Sequence, residues 1–226
     1  MKNSSKQGDG GEAIQQSIDR LEQWAALNSR KFPWREYTSP FSVLVAEILL
    51  RRTTASAVRR VYPGFIRKYS NLSSLTNADP NALEGEMRTL GYNVQRAKIL
   101  VSVASELKAK YGGIPEDFDE LRSIEQVGLY TSAAVMSLGF HRPFPMIDSN
   151  VLRIYSRFLG RRLSQKDAFD LLLPHVTEKN HKRVNLGLLD FGAVLCRHRR
   201  PLCEECPLND LCCYAHDNYF KGRIAR

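Results

Sequence analysis

The chain has 226 residues and carries 33 Lys and Arg against 24 Asp and Glu, which gives it a formal net charge of +9. No stretch approaches the roughly 18 apolar residues that a membrane span needs, and the polar N-terminus lacks the apolar core of a signal peptide, so we expect a cytoplasmic protein without a membrane partner. The basic excess favours a polyanionic partner, with DNA or RNA first, although a generally basic surface would give the same charge.

Helical patterns follow one another along almost the whole chain. Residues 1–11 are polar and predict a disordered tail. After them, apolar residues recur at helical spacing in four segments, and Gly and Pro separate these segments. The segments are 14–25, 58–69, 94–107 and 151–158. Sustained alternation of apolar and polar residues is not evident, so we predict an all-α protein.

The segment 42–50 is nearly all apolar, which predicts a helix that is buried on every side. Glu47 lies in the middle of it. Burying a carboxylate is costly unless it is paired, protonated or needed for function. Position alone therefore leaves two interpretations equal for Glu47: a structural carboxylate that faces a crevice or an Arg, and a functional group.

All five cysteines lie between Cys196 and Cys213, which in a reducing compartment favours metal binding over disulfides. Cys196, Cys203, Cys206 and Cys212 are separated by six, two and five residues. Zinc sites usually bring two close pairs of ligands, whereas one close pair between two single cysteines suits an iron–sulfur cluster. Structural zinc stays the alternative, and Cys213 either packs beside the loop or competes as a ligand.

A run of cationic residues lies between the first two of these cysteines. It contains Arg197, Arg199 and Arg200. Because a cationic loop that is held rigid by a cluster is well placed to meet phosphate groups, we predict that these three residues contact the phosphates of a nucleic acid. The alternative is a solvated run of charges without a partner.

Five further segments form a series along the chain: 32–35, 46–53, 90–97, 124–135 and 147–153. Together with the cysteine spacing they resemble, in the same order, the motifs of the endonuclease III and MutY group of helix-hairpin-helix DNA glycosylases. Segment 124–135 is similar to the hairpin and the helix after it, and segment 147–153 is similar to the segment that carries the catalytic Asp. The resemblance covers about residues 12–214.

The resemblance implies two helical domains that flank a DNA-binding cleft. One is a six-helix barrel at 36–147 with the hairpin near 122–131, and the other is an iron–sulfur domain made of 12–35 and 148–226. It also implies one [4Fe-4S] cluster on the four cysteines. The expected partner is double-stranded DNA with a mismatched or damaged base, and the expected enzyme is a monomer associated with the nucleoid.

The hairpin departs from the pattern Leu-Pro-Gly-Val-Gly that the family usually has. This chain keeps Gly128, but Glu125 and Gln126 stand in place of the Pro and the first Gly. Glycine permits a tight turn and a close approach of backbone N–H groups to a phosphate. We therefore expect hairpin binding to DNA to be weaker or differently arranged here.

Position 130 bears on the type of reaction. Bifunctional members of the family have a Lys there, whose amine forms a Schiff base with the sugar and then nicks the strand. Tyr130 cannot do this, so the resemblance implies a glycosylase without AP-lyase activity. Tyr130 would then line the base pocket; the alternative is an aromatic packed in the core.

Three segments resemble the Mig-type G:T mismatch thymine-DNA glycosylases in detail: 47–54, 128–136 and 185–191. This similarity implies removal of thymine or uracil opposite guanine. Two alternatives stay open. One is a MutY-like adenine glycosylase that acts on A:G or A:8-oxoguanine, and the other is a non-catalytic relative that only binds DNA.

The resemblance also implies roles for the residues at the reaction. Asp148 would stabilise the positive charge that develops on the sugar of a flipped nucleotide, and it would also cap the helix that starts near Asn150. Asn150 would orient Asp148, while Glu47 would face the flipped base or a water.

When a nucleotide is flipped out of the duplex, side chains of the enzyme fill the space that it leaves. Tyr92 and either Arg51 or Arg52 are the candidates, because Arg pairs well with the edge of guanine. Contact with a phosphate is the alternative for both Arg residues.

Overall fold

The computed structural model describes the backbone of residues 6–220 and the side chains of residues 11–217. This part of the chain is helical and contains no strand, and none of its helices is long and apolar enough to cross a membrane. The prediction of an all-α protein is thereby confirmed. The α-helices are α1 (Lys6–Asn28), α2 (Pro40–Leu49), α3 (Ala55–Lys68), α4 (Leu72–Thr76), α5 (Pro80–Glu86), α6 (Asn93–Tyr111), α7 (Phe118–Arg122), α8 (Leu129–Ala134), α9 (Ser149–Phe158), α10 (Gln165–Leu172) and α11 (His181–Val194).

Helix α1 begins at Lys6, so it includes part of the segment for which a disordered tail was predicted. Residues 1–5 of that prediction lie outside the described residues. For residues 6–11 the prediction is corrected, because these residues are helical. Once a helix has formed, each residue added to its end contributes one more backbone hydrogen bond. The apolar stripe predicted for α1 is buried, and it consists of Ile14, Ile18, Leu21 and Ala25.

The chain divides into two compact units. The central unit is formed by residues 31–142, and the terminal unit by residues 1–30 together with 143–226. The limits of the central unit lie five residues before the predicted limits 36 and 147. The candidate site residues from Glu47 to Tyr130 lie in the central unit, and those from Asp148 to Cys212 lie in the terminal unit.

The central unit is built around α2. Every residue from Phe41 to Leu49 is buried, because α2 packs against α3, α6 and α8 and against the π-helical turn Val135–Gly139. A side chain at Gly139 would place its Cβ 2.7 Å from the Cα of Pro40, so glycine permits this close packing. The N-terminus of α2 is capped by Ser39, whose Oγ accepts from the N–H of Ser42 at 3.1 Å.

The terminal unit packs α1 and α9 against α11. Gly187 of α11 lets α1 approach closely, since a Cβ there would lie 2.7 Å from the Cβ of Ala25. Asp190 is fully buried, and its two carboxylate oxygens accept from the backbone N–H and from Nε of Arg30 at 2.9 and 2.6 Å. This buried carboxylate is thus paired, and it belongs to the scaffold.

Candidate functional site

Asp148 caps the N-terminus of α9. Its Oδ1 accepts from the backbone N–H groups of Asn150 and Val151, both at 2.8 Å. Its Oδ2 accepts from Nδ2 of Asn150 at 2.7 Å. Three N–H donors therefore hold a half-buried carboxylate in one orientation, and hydrogen bonds from N–H groups at a helix N-terminus suit a negative charge.

A chain of hydrogen bonds connects Asp148 to the cysteine segment. Oδ1 of Asn150 accepts from Nη2 of Arg153 at 2.8 Å. The same Nη2 donates to the carbonyl of Gly192 at 2.7 Å, and Nε of Arg153 donates to the carbonyl of Cys196 at 2.9 Å. A Cβ on Gly192 would lie 2.5 Å from the Cβ of Asn150, so glycine leaves the room that Asn150 needs.

Four cysteine side chains surround a single apolar cavity. They are the predicted ligands Cys196, Cys203, Cys206 and Cys212, and the cavity is also lined by apolar residues such as Phe158. Burial raises the pKa of the Cys206 thiol to about 12, and the charges of the neighbouring cysteines add to this. Burial also raises the pKa values of Cys203 and Cys212.

The spacing of these thiols bears on what they can bind. Within residues 11–217, no group of three or more His, Cys, Asp and Glu side chains is arranged to hold a single metal ion. Four thiols around one apolar cavity do provide the donors that a cluster of several iron atoms uses, and cationic iron would keep them deprotonated against the effect of burial. Cys213 is exposed and lines a different pocket.

Arg157 of α9 joins the cysteines to the cationic loop 197–200. Its Nη1 donates to Sγ of Cys196 at 3.4 Å and to the carbonyl of Arg197 at 2.7 Å, and its Nη2 donates to the carbonyl of His198 at 3.0 Å. The guanidinium also lies 4.8 Å from the ring centroid of Tyr214. The backbone of the loop is thus held in place from α9.

The three Arg side chains of this loop are exposed. Arg197 donates from Nε to the carbonyl of Val194 at 2.8 Å, which directs its side chain back over the end of α11. Arg200 has a φ of 52°, in the left-handed region. The loop therefore presents exposed cationic side chains, and its backbone is held in place by Arg157.

In the central unit, Glu47 and Arg51 lie one helical turn apart. Glu47 is buried at 8% exposure. Burial lowers the pKa of the Arg51 guanidinium, and the charge of Glu47 acts in the opposite direction. The buried carboxylate thus has a cationic neighbour, as the structural interpretation of Glu47 requires, and this neighbour leaves a functional role open as well.

Arg51 also binds the hairpin. Its Nη2 donates to the carbonyl of Gln126 at 2.6 Å and to Oγ1 of Thr131 at 3.3 Å. Gln126 stands where the family has its first Gly, and its φ of 67° lies in the left-handed region. The turn thus keeps the backbone conformation that glycine normally supplies, and Arg51 helps to hold this strained residue.

Gly128 and Tyr130 are two further residues of the hairpin region. Gly128 is the N-cap residue of α8, and its carbonyl accepts from the N–H of Ser132 at 3.0 Å. Tyr130 follows in the first turn of α8 and is half-buried, whereas Thr131 to Ala134 are buried. A half-buried ring is less enclosed than a core aromatic would be.

Arg52 and Tyr92 lie together on the same unit. The guanidinium carbon of Arg52 is 5.9 Å from the ring centroid of Tyr92, and Tyr92 is 64% exposed. Both residues have left-handed backbones, with φ of 49° and 50°. Both border a cavity of about 590 Å³, which Arg51 also lines. Since Arg51 binds the hairpin, Arg52 is the Arg that pairs with Tyr92.

The family model that spans the hairpin covers more than half of the chain. Residues 45–173 match the model described as "HhH-GPD superfamily base excision DNA repair protein". This chain belongs to that superfamily. A second model, the "Iron-sulfur binding domain of endonuclease III", matches residues 199–212. The superfamily that the motifs predicted is therefore confirmed, and with it the DNA partner and the enzyme class of DNA glycosylases.

Similar proteins of this superfamily cover nearly the whole chain. A thymine-DNA glycosylase of Aeropyrum pernix is 36% identical, over 88% of this chain and 94% of the relative. A thymine/uracil-DNA glycosylase of Methanothermobacter thermautotrophicus is 35% identical, over 82% of this chain and 86% of the relative. The solved structure of a thermostable thymine-DNA glycosylase matches with a TM-score of 0.86 and 31% identity, over 93% of this chain and 98% of that structure.

In this glycosylase, three arginines whose side chains bind main-chain carbonyl groups were not predicted from the sequence. Arg153 and Arg157 lie on α9, and Arg96 lies on α6. Arg153 is three residues after Asn150, which places both on one helix face, and this spacing was the available signal. For the other two no residue type marks the partner, because their acceptors are main-chain carbonyl groups, most of them in distant segments. The roles of the predicted site residues themselves stay predictions.

Proposed function

We propose that the protein is a monofunctional DNA glycosylase that removes thymine or uracil mispaired with guanine. It would hydrolyse the N-glycosidic bond of a flipped nucleotide and leave an abasic site. The observation that carries this proposal is the carboxylate of Asp148, which three N–H donors hold in one orientation at the start of α9.

The proposed reaction uses Asp148 as a fixed anion. When the bond between C1′ and the base breaks, its electron pair leaves with the base, and the sugar acquires oxocarbenium character. A carboxylate that is already oriented stabilises this positive charge without reorganising. Water then adds to C1′, and its proton passes to the departed base or to solvent.

Glu47 and Tyr130 are proposed to contact the base. A flipped pyrimidine needs hydrogen-bond partners on its polar edge and a surface against its ring. Glu47 can supply an acceptor, and the half-buried ring of Tyr130 can supply the surface. A phenol cannot form a Schiff base with the sugar, so the enzyme is proposed to lack AP-lyase activity.

Cys196, Cys203, Cys206 and Cys212 are proposed to hold one [4Fe-4S] cluster. The cavity that the four thiols line, and the N–H donor that Arg157 directs at the sulfur of Cys196, are the features that suit it. When bound, the cluster would supply a rigid anchor for the cysteine segment. Arg157 would then hold the cationic loop 197–200 against that anchor, ready for the phosphates of DNA.

The proposed substrate class rests on the relatives and on the energetics of base flipping. The similar proteins are named for thymine and uracil. A mispaired pyrimidine costs less to flip than a paired one, which would contribute to selection of the mismatch. The enzyme is further proposed to act as a monomer, associated with the nucleoid in the cytoplasm.

A single-turnover base-release assay tests this proposal. Labelled duplexes would carry G:T, G:U, A:G or A:8-oxoguanine, and each reaction would be divided into portions with and without hot alkali. Strand breaks at G:T and G:U that appear only after alkali are expected. Breaks confined to the adenine pairs would instead favour an adenine glycosylase, and breaks without alkali would contradict the absence of lyase activity.

A further inference from the structure

Arg96, at the end of the first turn of α6, caps the C-terminus of helix α2. It is 3% exposed. Its Nη1 donates to the carbonyl oxygens of Ile48, Leu49 and Arg51 at 2.9, 3.0 and 2.9 Å. Helix α2 has no basic residue in its own last turn. Because the last carbonyl groups of a helix lack partners and carry partial negative charge, the guanidinium of Arg96 satisfies the C-terminus of α2.

The same guanidinium binds a second turn. Nη2 of Arg96 donates to the carbonyl of Gly91 at 3.3 Å, and the backbone N–H of Arg96 donates to the carbonyl of Tyr92 at 2.9 Å. Gly91 and Tyr92 are consecutive residues with φ of 69° and 50°. A left-handed backbone is strained for a residue such as Tyr92 that has a Cβ, and it persists only where its surroundings hold it.

Both turns bound by Arg96 carry a left-handed residue with a large side chain. On the first turn this residue is Arg52, with a φ of 49°, and on the second it is Tyr92. Their side chains lie against each other, and both border the cavity of about 590 Å³. The position of this pair therefore depends on how the two turns are held relative to each other.

Arg96 makes its hydrogen bonds to main-chain carbonyl groups. Four of them accept from its Nη atoms, while its Nε is buried and has no partner within the described part of the chain. Both terminal nitrogens of the guanidinium are thus engaged by the two turns. Lysine could not reproduce these bonds, because an ammonium lacks the planar fork of donors.

We propose that Arg96 is a positioning residue, which holds the Arg51–Arg52 turn and the Gly91–Tyr92 turn on one guanidinium and thereby presents Arg52 and Tyr92 as a pre-formed pair to the base opposite the released one. The inference rests on the proposed function and on the prediction that Tyr92 and Arg52 fill the space left by the flipped nucleotide, beside the guanine that has lost its partner. Arg96 also lines the cavity, but its Nη donors are bound to carbonyl groups of the two turns, so it acts on DNA through Arg52 and Tyr92. A pair that is ordered before binding loses less side-chain entropy on contact. The contribution of Arg96 therefore depends on the presence of an opposite base.

The variant Arg96→Lys tests this with two duplexes. One carries uracil opposite guanine, and the other carries uracil opposite an abasic-site analogue, which offers no base to contact. In single-turnover assays Arg96→Lys should slow release from the first duplex about 10- to 100-fold and release from the second by no more than about twofold, as expected for misplaced contacts. A general loss of stability would slow release from both duplexes alike.

Val103→Ala is the matched control. Val103 lies two turns further along α6 and is 1% exposed, so its truncation destabilises the same helix without touching either turn. Thermal unfolding of both variants would establish that they are folded at the assay temperature. Val103→Ala should change the two release rates by the same factor, so that their ratio stays at the wild-type value.

A second measurement does not need base release. The protein would carry Asp148→Asn, and the duplex would carry 2-aminopurine beside the mismatch. The fluorescence of 2-aminopurine rises when its neighbours unstack, so it rises when the protein binds. Adding Arg96→Lys should make this rise in fluorescence smaller. Equal slowing of both duplexes, wild-type rates on both, or an unchanged fluorescence increase would overturn the inference. If the wild-type protein releases uracil from neither duplex, the proposed function fails, and the fluorescence still decides the role of Arg96.

Discussion

Asn150 contacts both carboxylate oxygens of Asp148. Its backbone N–H donates to Oδ1 at 2.8 Å, and its side-chain Nδ2 donates to Oδ2 at 2.7 Å. A carboxylate bound on both oxygens by one neighbour cannot rotate without losing a hydrogen bond. The position that caps α9 is thus also the position at which this glycosylase holds a fixed negative charge.

The charge of Asp148 can be separated from its role as N-cap. Asn and Asp cap helices about equally well, so Asp148→Asn keeps the cap and removes the negative charge. We expect single-turnover release of thymine from G:T to fall by at least about 100-fold, while affinity for the duplex persists. A rate near that of wild type would show that Asp148 does not act on the sugar.

Asp117→Asn is the control for this substitution. Asp117 caps α7 in the same way, accepting from the N–H groups of Asp119 and Glu120 at 2.9 Å. We expect wild-type release from Asp117→Asn. An equal loss in both variants would mean that the effect comes from capping.

The side-chain amide of Asn150 should matter for the rate more than for the fold. Asn150→Ala removes the donor to Oδ2 of Asp148 and the acceptor of Arg153, so the carboxylate is held less firmly, by the two backbone N–H groups on Oδ1 alone. We expect release from G:U to slow by about tenfold, the order of a single lost positioning contact, with little change in duplex affinity. Asn180→Ala is the matched control, since Asn180 makes comparable hydrogen bonds in a loop of the same unit. Equal rates for the two variants would contradict the positioning role.

Two cysteines provide a direct comparison of ligand and non-ligand. Cys203 is 7% exposed and lines the cavity, whereas Cys213 is exposed and lies outside that cavity. Cys203→Ser should lower the iron content and the visible absorption of the purified protein, and Cys213→Ser should leave both unchanged. Zinc in place of iron, or loss of iron from Cys213→Ser, would contradict the proposed set of ligands.

The cationic loop should contribute a part of DNA affinity that depends on salt. Arg199→Gln removes one exposed charge, so the slope of log affinity against log salt should fall in magnitude by about one if that charge meets a phosphate. The loss of DNA affinity in Arg199→Gln should be equal for matched and mismatched duplexes. Lys166→Gln removes an exposed charge on α10 and serves as the control. An unchanged slope for Arg199→Gln would favour the interpretation of a solvated run.

The free energy of unfolding tests whether the hairpin turn at Gln126 is strained. Gln126 has a left-handed backbone, so Gln126→Gly should relieve strain and raise the free energy of unfolding by about 0.5–1 kcal/mol. The bond from Arg51 is kept, because it is accepted by the main-chain carbonyl. Gln126→Ala retains a Cβ and should show no gain in denaturant unfolding. Equal stability of the Gly and Ala variants would show that the turn is not strained.

The apolar spacing predicted the buried faces of several helices correctly. The residues Val151, Ile154, Tyr155 and Phe158 of α9 are all buried, as are Leu100, Val103, Ala104 and Leu107 of α6. Val94, which begins the α6 series, is 45% exposed instead, because it lies in the first turn of α6, before the part of the helix that is packed. Periodicity indicates which face is apolar, and it does not indicate where along a helix packing begins.

The sequence alone determined the features that depend on near neighbours: the helices, the capping position of Asp148, the close spacing of the cysteines and the unusual residue at position 126. Only the tertiary structure decided how these features are connected. Arg153 reaches Cys196 across 43 positions, Arg51 reaches Gln126 across 75, and Arg96 reaches Ile48 across 48. In each case the acceptor is a main-chain carbonyl, which every residue possesses, so no residue type marks the partner in the sequence. The packing of the helices determines which carbonyl each guanidinium meets.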